Sequence, residues 1–294
     1  MNKDGLSIII PVYNEVAGIK STIEAMKKLL ECKDFPMEVI FVDDGSMDGT
    51  SEKLDKFLPA DDNYKLIRHK RNRGYGAALK TGIKSSGFDY ICITDADETY
   101  PNERIPEFLS KTKKEDLDML VGARVGKGVK IPLIRKPPKW VLNKLANYLS
   151  DYSIPDLNSG LRIMRRKSVQ DFIHILPNGF SFTTTITLAM LTNDYRVEYE
   201  KINYFHRAGS SKIRPIYDTL NFTQLIIRTI LLFRPLKVFL PVSGFMFLTA
   251  LGLVLYRIFF DQAFGVTATV IFVGSIQLLA IGMLADLINR RLQK

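Results

Sequence analysis

The sequence predicts an α/β domain built on a mostly parallel sheet, followed by interfacial amphipathic helices and a C-terminal two-helix transmembrane hairpin. Three observations carry this prediction. Apolar, β-branched runs alternate with helical patterns through the first part of the chain, as in βα units. Several successive strands run out into acidic and turn residues, which gathers polar chemistry at one sheet edge. Two long uncharged apolar runs follow near the end.

The first strand falls at Leu6–Val12, after Met-Asn-Lys-Asp-Gly, which has no signal-peptide pattern. Further strands fit Met37–Val42, Tyr64–His69, Tyr90–Thr94 and Met119–Ala123. Their apolar residues are continuous rather than alternating, so the sheet is covered on both faces. Helices fit Glu15–Cys32, Ser51–Leu58, Tyr75–Ser86 and Ile105–Lys111 between them. Later segments are more mixed, with strands at Gly160–Arg165 and Arg196–Tyr204 and a helix at Thr183–Leu191. No internal repeat is present. Cys32 and Cys92 stand 60 positions apart without a CxxC pair, which suggests a reducing compartment and no disulfide framework. Cys92 lies inside an apolar strand and is expected to be a small core residue.

Val238–Tyr256 is 19 residues without a charge, and Phe264–Ala285 is another 22. Each matches the roughly 20 residues that cross a hydrocarbon core as helix. Arg228, Arg234 and Lys237 precede the first run, and Arg290, Arg291 and Lys294 follow the second. Positive flanks stay inside, so the domain and the C-terminus are expected in the cytoplasm, on a multi-pass protein of the cell membrane. The resulting division is the α/β domain at 1–214, a juxtamembrane helix at 215–237, two spans within 238–288 and a tail at 289–294. Small two-span anchors commonly associate, so a homo-oligomer is a further expectation.

Charge is uneven. Residues 1–112 hold 16 Lys and Arg against 19 Asp and Glu, while residues 113–294 hold 25 against 12. Two stretches in the basic half have an amphipathic pattern, Trp140–Tyr152 and Ile216–Leu236. They fit helices on an anionic lipid surface, or ordinary helices packed on the domain. Because the basic half is the half that meets the lipid bilayer, membrane and phosphate are favoured over nucleic acid.

The acidic edge carries the chemistry. The first strand runs into Pro11-Val-Tyr-Asn-Glu15, the second into Val42-Asp-Asp-Gly-Ser-Met-Asp-Gly-Thr50, and the fourth into Thr94-Asp-Ala-Asp-Glu98. Charge at the end of a buried strand is costly unless paired or bound to metal. A dinucleotide site does not explain it. Gly74-Tyr-Gly76-Ala-Ala-Leu79 lacks the third glycine and follows the basic loop Arg68–Arg73 instead of the first strand. No P-loop is present.

The motifs SIIIPVYNE, VIFVDDGSMDGT, NRGYGAALKTGI and DADETYP, in this order and spacing, resemble the family-2 glycosyltransferases of GT-A fold. With DLNSGLRIMRR, HRAGSSK and the apolar tail, the chain is similar over essentially its whole length to the polyprenyl-phosphate glycosyltransferases, including dolichol-phosphate mannose synthase and GtrB-like enzymes. The resemblance implies a metal-dependent transfer of a sugar from a nucleotide sugar to a polyprenyl phosphate, undecaprenyl or dolichyl. It implies that Pro11, Tyr13 and Glu15 line the nucleotide pocket and that Asp43 or Asp44 accepts from the base. Asp97 would hold Mg²⁺ or Mn²⁺, with Asp95 near ribose or metal, as suits an all-oxygen site. Asp156 would orient sugar or acceptor, making Asp97 and Asp156 the catalytic pair. Arg124, Arg207, Ser211 and Lys212 would grip lipid phosphate or diphosphate. One departure stands out: Thr99 occupies the place of a metal-assisting Gln, leaving Glu98 or water as third ligand. That departure and the bacterial likeness favour a UDP-sugar over GDP-mannose. A processive polysaccharide synthase is disfavoured, because the lone Trp140 follows Lys139 and no QxxRW motif exists. A non-catalytic nucleotide- or lipid-binding membrane protein would leave the DxD pair unexplained.

Overall fold

A computed structural model describes residues 4–31, 34–97, 99–125, 144, 147–148, 151–179, 181–203, 224, 227–228, 231, 233–260 and 265–292. Among them, seven strands make one sheet. These are β1 (Leu6–Val12), β2 (Met37–Asp43), β3 (Tyr64–Arg68), β4 (Tyr90–Ile93), β5 (Met119–Ala123), β6 (Arg162–Arg165) and β7 (Val197–Lys201). Their spatial order is β3-β2-β1-β4-β6-β5-β7. Leu6 lies opposite both Met37 and Tyr90 in parallel register, so β1, β2 and β4 finish at the same edge. The sheet departs from uniform βα winding at β6, which is antiparallel to both β4 and β5. β6 enters from the edge at which β5 leaves and so runs against its neighbours. Two reversals return β5 to the direction of β4, and Arg124 therefore emerges at the acidic edge too.

Both faces are covered for a reason visible in β1. Side chains alternate across a strand. Ile8 and Ile10 pack with Ile19, Ile23 and Met26 of α1 (Ile19–Leu30), while Ile9 packs with Leu79 and Ile83 of α3 (Tyr75–Ser85). An apolar run that serves both faces, as Ile8–Ile10 does, is what two helical layers require. α2 (Thr50–Phe57) and α4 (Ile105–Lys114) complete the first layer. A short helix not expected from the sequence, α5 (Arg166–Phe172), follows β6; seven residues are too few to show a helical period. In α6 (Phe182–Thr192) every residue is buried, so this helix has no polar face. Cys92 is fully buried as expected, and burial pushes its thiol up. Cys32 and most of the two amphipathic stretches lie outside the described residues.

The tail forms two long helices, α7 (Leu236–Phe260) and α8 (Gly265–Leu292), packed on one another. Ser243, Ala250, Ala268 and Ser275 are buried, as close helix packing in lipid favours small residues, while Phe245 and Val266 are 72% and 80% exposed. Only 11% and 17% of their apolar windows are buried, which excludes a role as core helices of the domain. The hairpin is fastened to the domain at its base. Arg234 donates to Asp151 (2.9 Å) and to the Thr192 carbonyl (3.3 Å), Lys237 pairs with Asp151, and Asn289 donates to the Phe233 carbonyl (2.7 Å).

One buried carboxylate ties the far side of the sheet together. Glu38 is only 5% exposed and accepts from its cross-strand neighbour Ser7, from the Gly87 N–H and from Lys65, each at 2.6 Å. Burial alone would raise its pKa, but the bonds from Lys65, Ser7 and Gly87 outweigh it and hold the carboxyl below the usual range. A group depressed in the folded state stabilises above its unfolded pKa, about 4.3, and that contribution is lost as pH falls through the folded value. Glu38→Gln should therefore cost about 1–3 kcal/mol at pH 7. The gap to the parent, read from thermal unfolding, should shrink steadily below about pH 4. An equal gap at pH 7 and pH 3 would show that the charge is not involved.

Candidate active site

The loops after β1 and β2 are sewn together. Asn14, with φ of 54°, receives the Met47 N–H on Oδ1 (2.9 Å), and its own N–H donates to Ser46 Oγ (3.0 Å). The Glu15 N–H donates to Thr50 (3.0 Å) and the Val16 N–H to Asp48 (3.1 Å). This leaves Tyr13 42% exposed at the rim of a cavity of about 270 Å³. Asp43, Ser46, Ser51 and the basic segment Arg68–Asn72 line the same cavity. The closeness of the two walls depends on Gly45: it has φ of +75°, and a Cβ there would lie 2.7 Å from the Arg71 backbone.

Adjacent aspartates do different work here. Asp43 accepts from the Ser46 N–H (3.0 Å) and the Ser51 hydroxyl and lines the cavity. Asp44 is turned to the loop after β3. Its two oxygens accept from the Arg73 N–H (2.9 Å) and Gly74 N–H (2.7 Å), and Oδ1 lies 2.6 Å from His69 Nδ1. His69 Nε2 is in turn 2.9 Å from the Thr81 hydroxyl. Of the two candidates for the base, then, Asp44 is committed to holding the loop and only Asp43 faces the cavity.

At the end of β4, Thr94 and Thr22 pin the turn, donating to Asn102 Oδ1 (2.7 Å) and the Ala96 carbonyl (2.9 Å). Asp95 Oδ1 receives the Tyr75 hydroxyl (3.1 Å), and burial, then the Asp95 charge, push that phenol well up. Asp97 Oδ1 receives both the hydroxyl (2.6 Å) and N–H (3.3 Å) of Thr99, which is 1% exposed. Thr99 thus orients Asp97 from behind. Glu98 lies outside the described residues, and among those described no three His, Cys, Asp or Glu converge on one point.

A third wall comes from residues 156–160, and almost every one of them is tied. Asp156, 4% exposed, takes a two-pronged contact from Arg124, Nε at 2.7 Å and Nη2 at 2.9 Å, plus the Arg124 N–H at 3.1 Å. The guanidinium expected to grip phosphate is therefore engaged with the aspartate expected beside the sugar. Asn158 accepts from Thr184, the Ser159 hydroxyl donates to the Gly122 carbonyl (2.5 Å), and the Gly160 N–H donates to Tyr100 (2.7 Å). Beneath them Arg162 is completely buried.

The structure thus brings Asp43, Asp95, Asp97, Asp156 and Arg124 to one edge, with Pro11 half-buried at the end of β1 and Tyr13 and Glu15 just beyond. Arg207, Ser211 and Lys212 lie outside the described residues. Sequence reasoning gave no role to Tyr75, Tyr100, Arg162 or the basic segment at 68–72. The last had a visible cue, since it follows β3 at the same edge; the buried arginine had only its place in SGLRIM.

Residues 7–173 match the model of the glycosyl transferase family 2, and residues 234–290 match that of the GtrB C-terminal hairpin. The prophage bactoprenol glucosyl transferase homolog of Escherichia coli (strain K12) is 26% identical over 295 residues, spanning 97% of this chain and 94% of its own. The dolichyl-phosphate hexose transferase of Haloferax volcanii is 28% identical over 213 residues, spanning 72% and 88%. Among solved structures, glucosyl-3-phosphoglycerate synthase from Mycobacterium tuberculosis, in complex with Mn²⁺, uridine diphosphate and phosphoglyceric acid, superposes with a TM-score of 0.58 at 17% identity over 78% of both chains. At that identity the likeness is one of fold, the expected GT-A arrangement.

Gly160 tests how tightly the walls are set. A Cβ there would lie 2.7 Å from Asp95 Oδ2 and 3.1 Å from the Tyr100 ring, whereas nothing lies within 4 Å of one at Gly179. Gly160→Ala should cost about 1–3 kcal/mol in thermal unfolding, as overpacking does. Gly179→Ala, the control, should stay within about 0.5 kcal/mol. Equal behaviour of the two would show that the aspartate turn and the 156–160 loop are not in contact.

Proposed function

The chain belongs to the glycosyl transferase family 2, and from that premise we propose that it moves a sugar from a nucleoside-diphosphate sugar to a polyprenyl phosphate at the cytoplasmic face of a membrane. The observation that carries this reading is the aspartate edge, Asp95 and Asp97 beside Asp156, on a domain fastened to an exposed apolar hairpin. The names of the relatives, bactoprenol and dolichyl-phosphate transferases, agree with such an acceptor.

The base and ribose of the donor enter the cavity between Tyr13 and the 68–72 segment, with Asp43 accepting from the base. Asp95 and Asp97 supply two hard oxygen donors, which suits Mg²⁺ or Mn²⁺ completed by diphosphate oxygens and water. The site has room for this: a glycine faces Asp95 Oδ2 where any side chain would collide. When bound, the cation screens the negative charge gathering on the departing diphosphate. Tyr75 and Thr99 fix the two carboxylates before the donor arrives, so no reorganisation is left for the reaction itself.

The acceptor's phosphate oxygen forms a bond to the sugar's anomeric carbon, the bond from that carbon to the diphosphate oxygen breaks, and its electron pair leaves with the nucleoside diphosphate. A phosphate monoester has its second pKa near 6, so the attacking oxygen is already largely ionised at neutral pH. Asp156, locked by Arg124, then orients the sugar or acceptor rather than removing a proton. Arg207 and Lys212, in the basic stretch before the hairpin, meet the lipid phosphate together with Ser211. Positive residues at both ends of the hairpin support a cytoplasmic domain. A UDP-sugar is the first donor to try, ahead of GDP-mannose.

The test supplies the protein in membranes with undecaprenyl or dolichyl phosphate, Mg²⁺ or Mn²⁺, and labelled UDP- and GDP-sugars in turn. One donor should label the lipid, chelation should stop it, added Mn²⁺ should restore it, and Asp97→Ala should lower it by about 10²-fold or more. Failure of every donor, or labelling that survives chelation, sinks the reading. Arg207→Ala and Lys212→Ala should raise the KM for lipid about 5- to 30-fold, about 1–2 kcal/mol, and leave nucleotide affinity nearly unchanged. Equal damage to nucleotide affinity would assign them to the donor diphosphate.

A further inference from the structure

Arg162 is the largest of the fully buried side chains, and its charge has no carboxylate within ion-pair distance among the described residues. It is held by neutral groups. Nη1 donates to the Thr183 carbonyl (3.1 Å) and the Thr187 hydroxyl (3.0 Å) of α6, Nη2 to the Ser159 carbonyl (2.5 Å), and Nε has no partner. It lies opposite Ile93 in the pairing of β6 with β4, two residues before Asp95, and Tyr75, Tyr199, Tyr100 and Asp156 are near enough to act on its charge. Packing does not account for this residue. Its layer is rich in Met119, Met164 and Phe182, and exchanging buried ionic groups for apolar ones of similar volume is often neutral or stabilising.

Its position suggests what the charge does. One prong holds the carbonyl in the middle of the 156–160 loop, which carries Asp156; the other holds the first turn of α6, whose Thr184 bonds the same loop. Tyr75 links it to the aspartate turn, because the phenol beside Arg162 donates to Asp95. A guanidinium is always protonated, so this is a fixed positive charge beneath a row of carboxylates. Resting on the transferase reading above, we propose that Arg162 is a positioning residue for the reaction, which locks the 156–160 loop against α6 and partly offsets the charge of the aspartates before any cation binds.

Two effects follow with different signatures. The fork sets geometry, so its loss should lower kcat and leave donor KM nearly unchanged, since displacement by a fraction of an ångström is enough to slow a positioned reaction. The charge repels a divalent cation, so its loss should tighten metal binding. A residue that merely props the fold would loosen metal binding when removed, the opposite sign.

The experiment uses the full chain in detergent and measures Mn²⁺ binding by electron paramagnetic resonance, alongside lipid-labelling kinetics and thermal unfolding. Arg162→Met should bind Mn²⁺ about threefold tighter or more, with kcat down about tenfold or more and donor KM within about twofold. Arg162→Lys keeps the charge and loses the fork, so it should bind Mn²⁺ like the parent and still show the drop in kcat. Should Arg162→Met lack a cooperative unfolding transition, Arg162→Gln, equally neutral and able to donate to the Ser159 carbonyl, replaces it in the same titration. Unchanged or weaker Mn²⁺ binding in the neutral variant overturns the electrostatic role, and parental kcat in Arg162→Lys overturns the positioning role. A parent that neither binds Mn²⁺ nor labels lipid fails the transferase reading instead, so the two failures are distinguishable.

Discussion

A carboxylate at the mouth of a sheet covered on both faces must be met by donors or by a cation, because ionised oxygen in such surroundings is otherwise expensive. This constraint organises the whole edge. Asp44 is met entirely from within, by two backbone N–H groups and His69, and so becomes a fastener for the loop after β3. Asp156 is met by the fork of Arg124. Asp95 and Asp97 each have one oxygen held by a hydroxyl, from Tyr75 and Thr99. A hydroxyl orients a carboxylate without neutralising it. On the proposed reading Asp95 and Asp97, oriented in this way, are the pair that receives a cation from outside.

The same logic extends beneath the site. Loop 156–160 has no regular structure, so its backbone polar groups must be satisfied one at a time. Tyr100 meets the Gly160 N–H and Arg162 the Ser159 carbonyl, while the loop's side chains bond Gly122 and Arg124 at the end of β5 and Thr184 of α6. A loop tied to so many rigid elements does not need to fold on binding, and the ordering entropy has already been met by folding. At its other side the chain approaches the hairpin, where Asp151 receives Arg234 and Lys237. The acidic edge and the apolar helices are thereby joined by polar contacts at Asp151 and by apolar ones, with Val238 against Ile154, Leu157, Leu188 and Leu191.

Much of this was legible in the sequence, and what was not has physical reasons. Strands β1, β2, β4 and β5 announce themselves because burial on both faces forces apolar runs such as Ile8–Ile10. The two long apolar helices are legible because their uncharged runs, with Phe245 and Val266 largely exposed, are as long as a bilayer-crossing helix. The reversal at β6 is not, since strand direction depends on where the preceding chain emerges and four residues carry no mark of it. The separation of Asp43 from Asp44 is invisible as well: identical neighbours point to opposite sides of a strand end, and only their partners distinguish them. Thr99 is a mixed case. Its departure from the family pattern was plain, but its part as a donor to Asp97 required the turn itself.

Arg162 marks the limit of reading by residue type. A cation in a short strand between apolar residues, as in Leu161-Arg162-Ile163, suggests an outward-facing position, because alternation would put one face in water. At β6 the sheet has no face in water. α6 covers the side to which Arg162 points, and there the Thr187 hydroxyl accepts where a leucine side chain could not, beside the Thr183 carbonyl. The wholly buried, threonine-rich start of α6 and the buried arginine of β6 therefore help explain each other, since each is unfavourable in an apolar core alone and the two share hydrogen bonds. Such a polar pair sits beneath the one part of the edge where sugar and acceptor would meet on the proposed reading, and there geometry matters more than the stability an apolar pair would give.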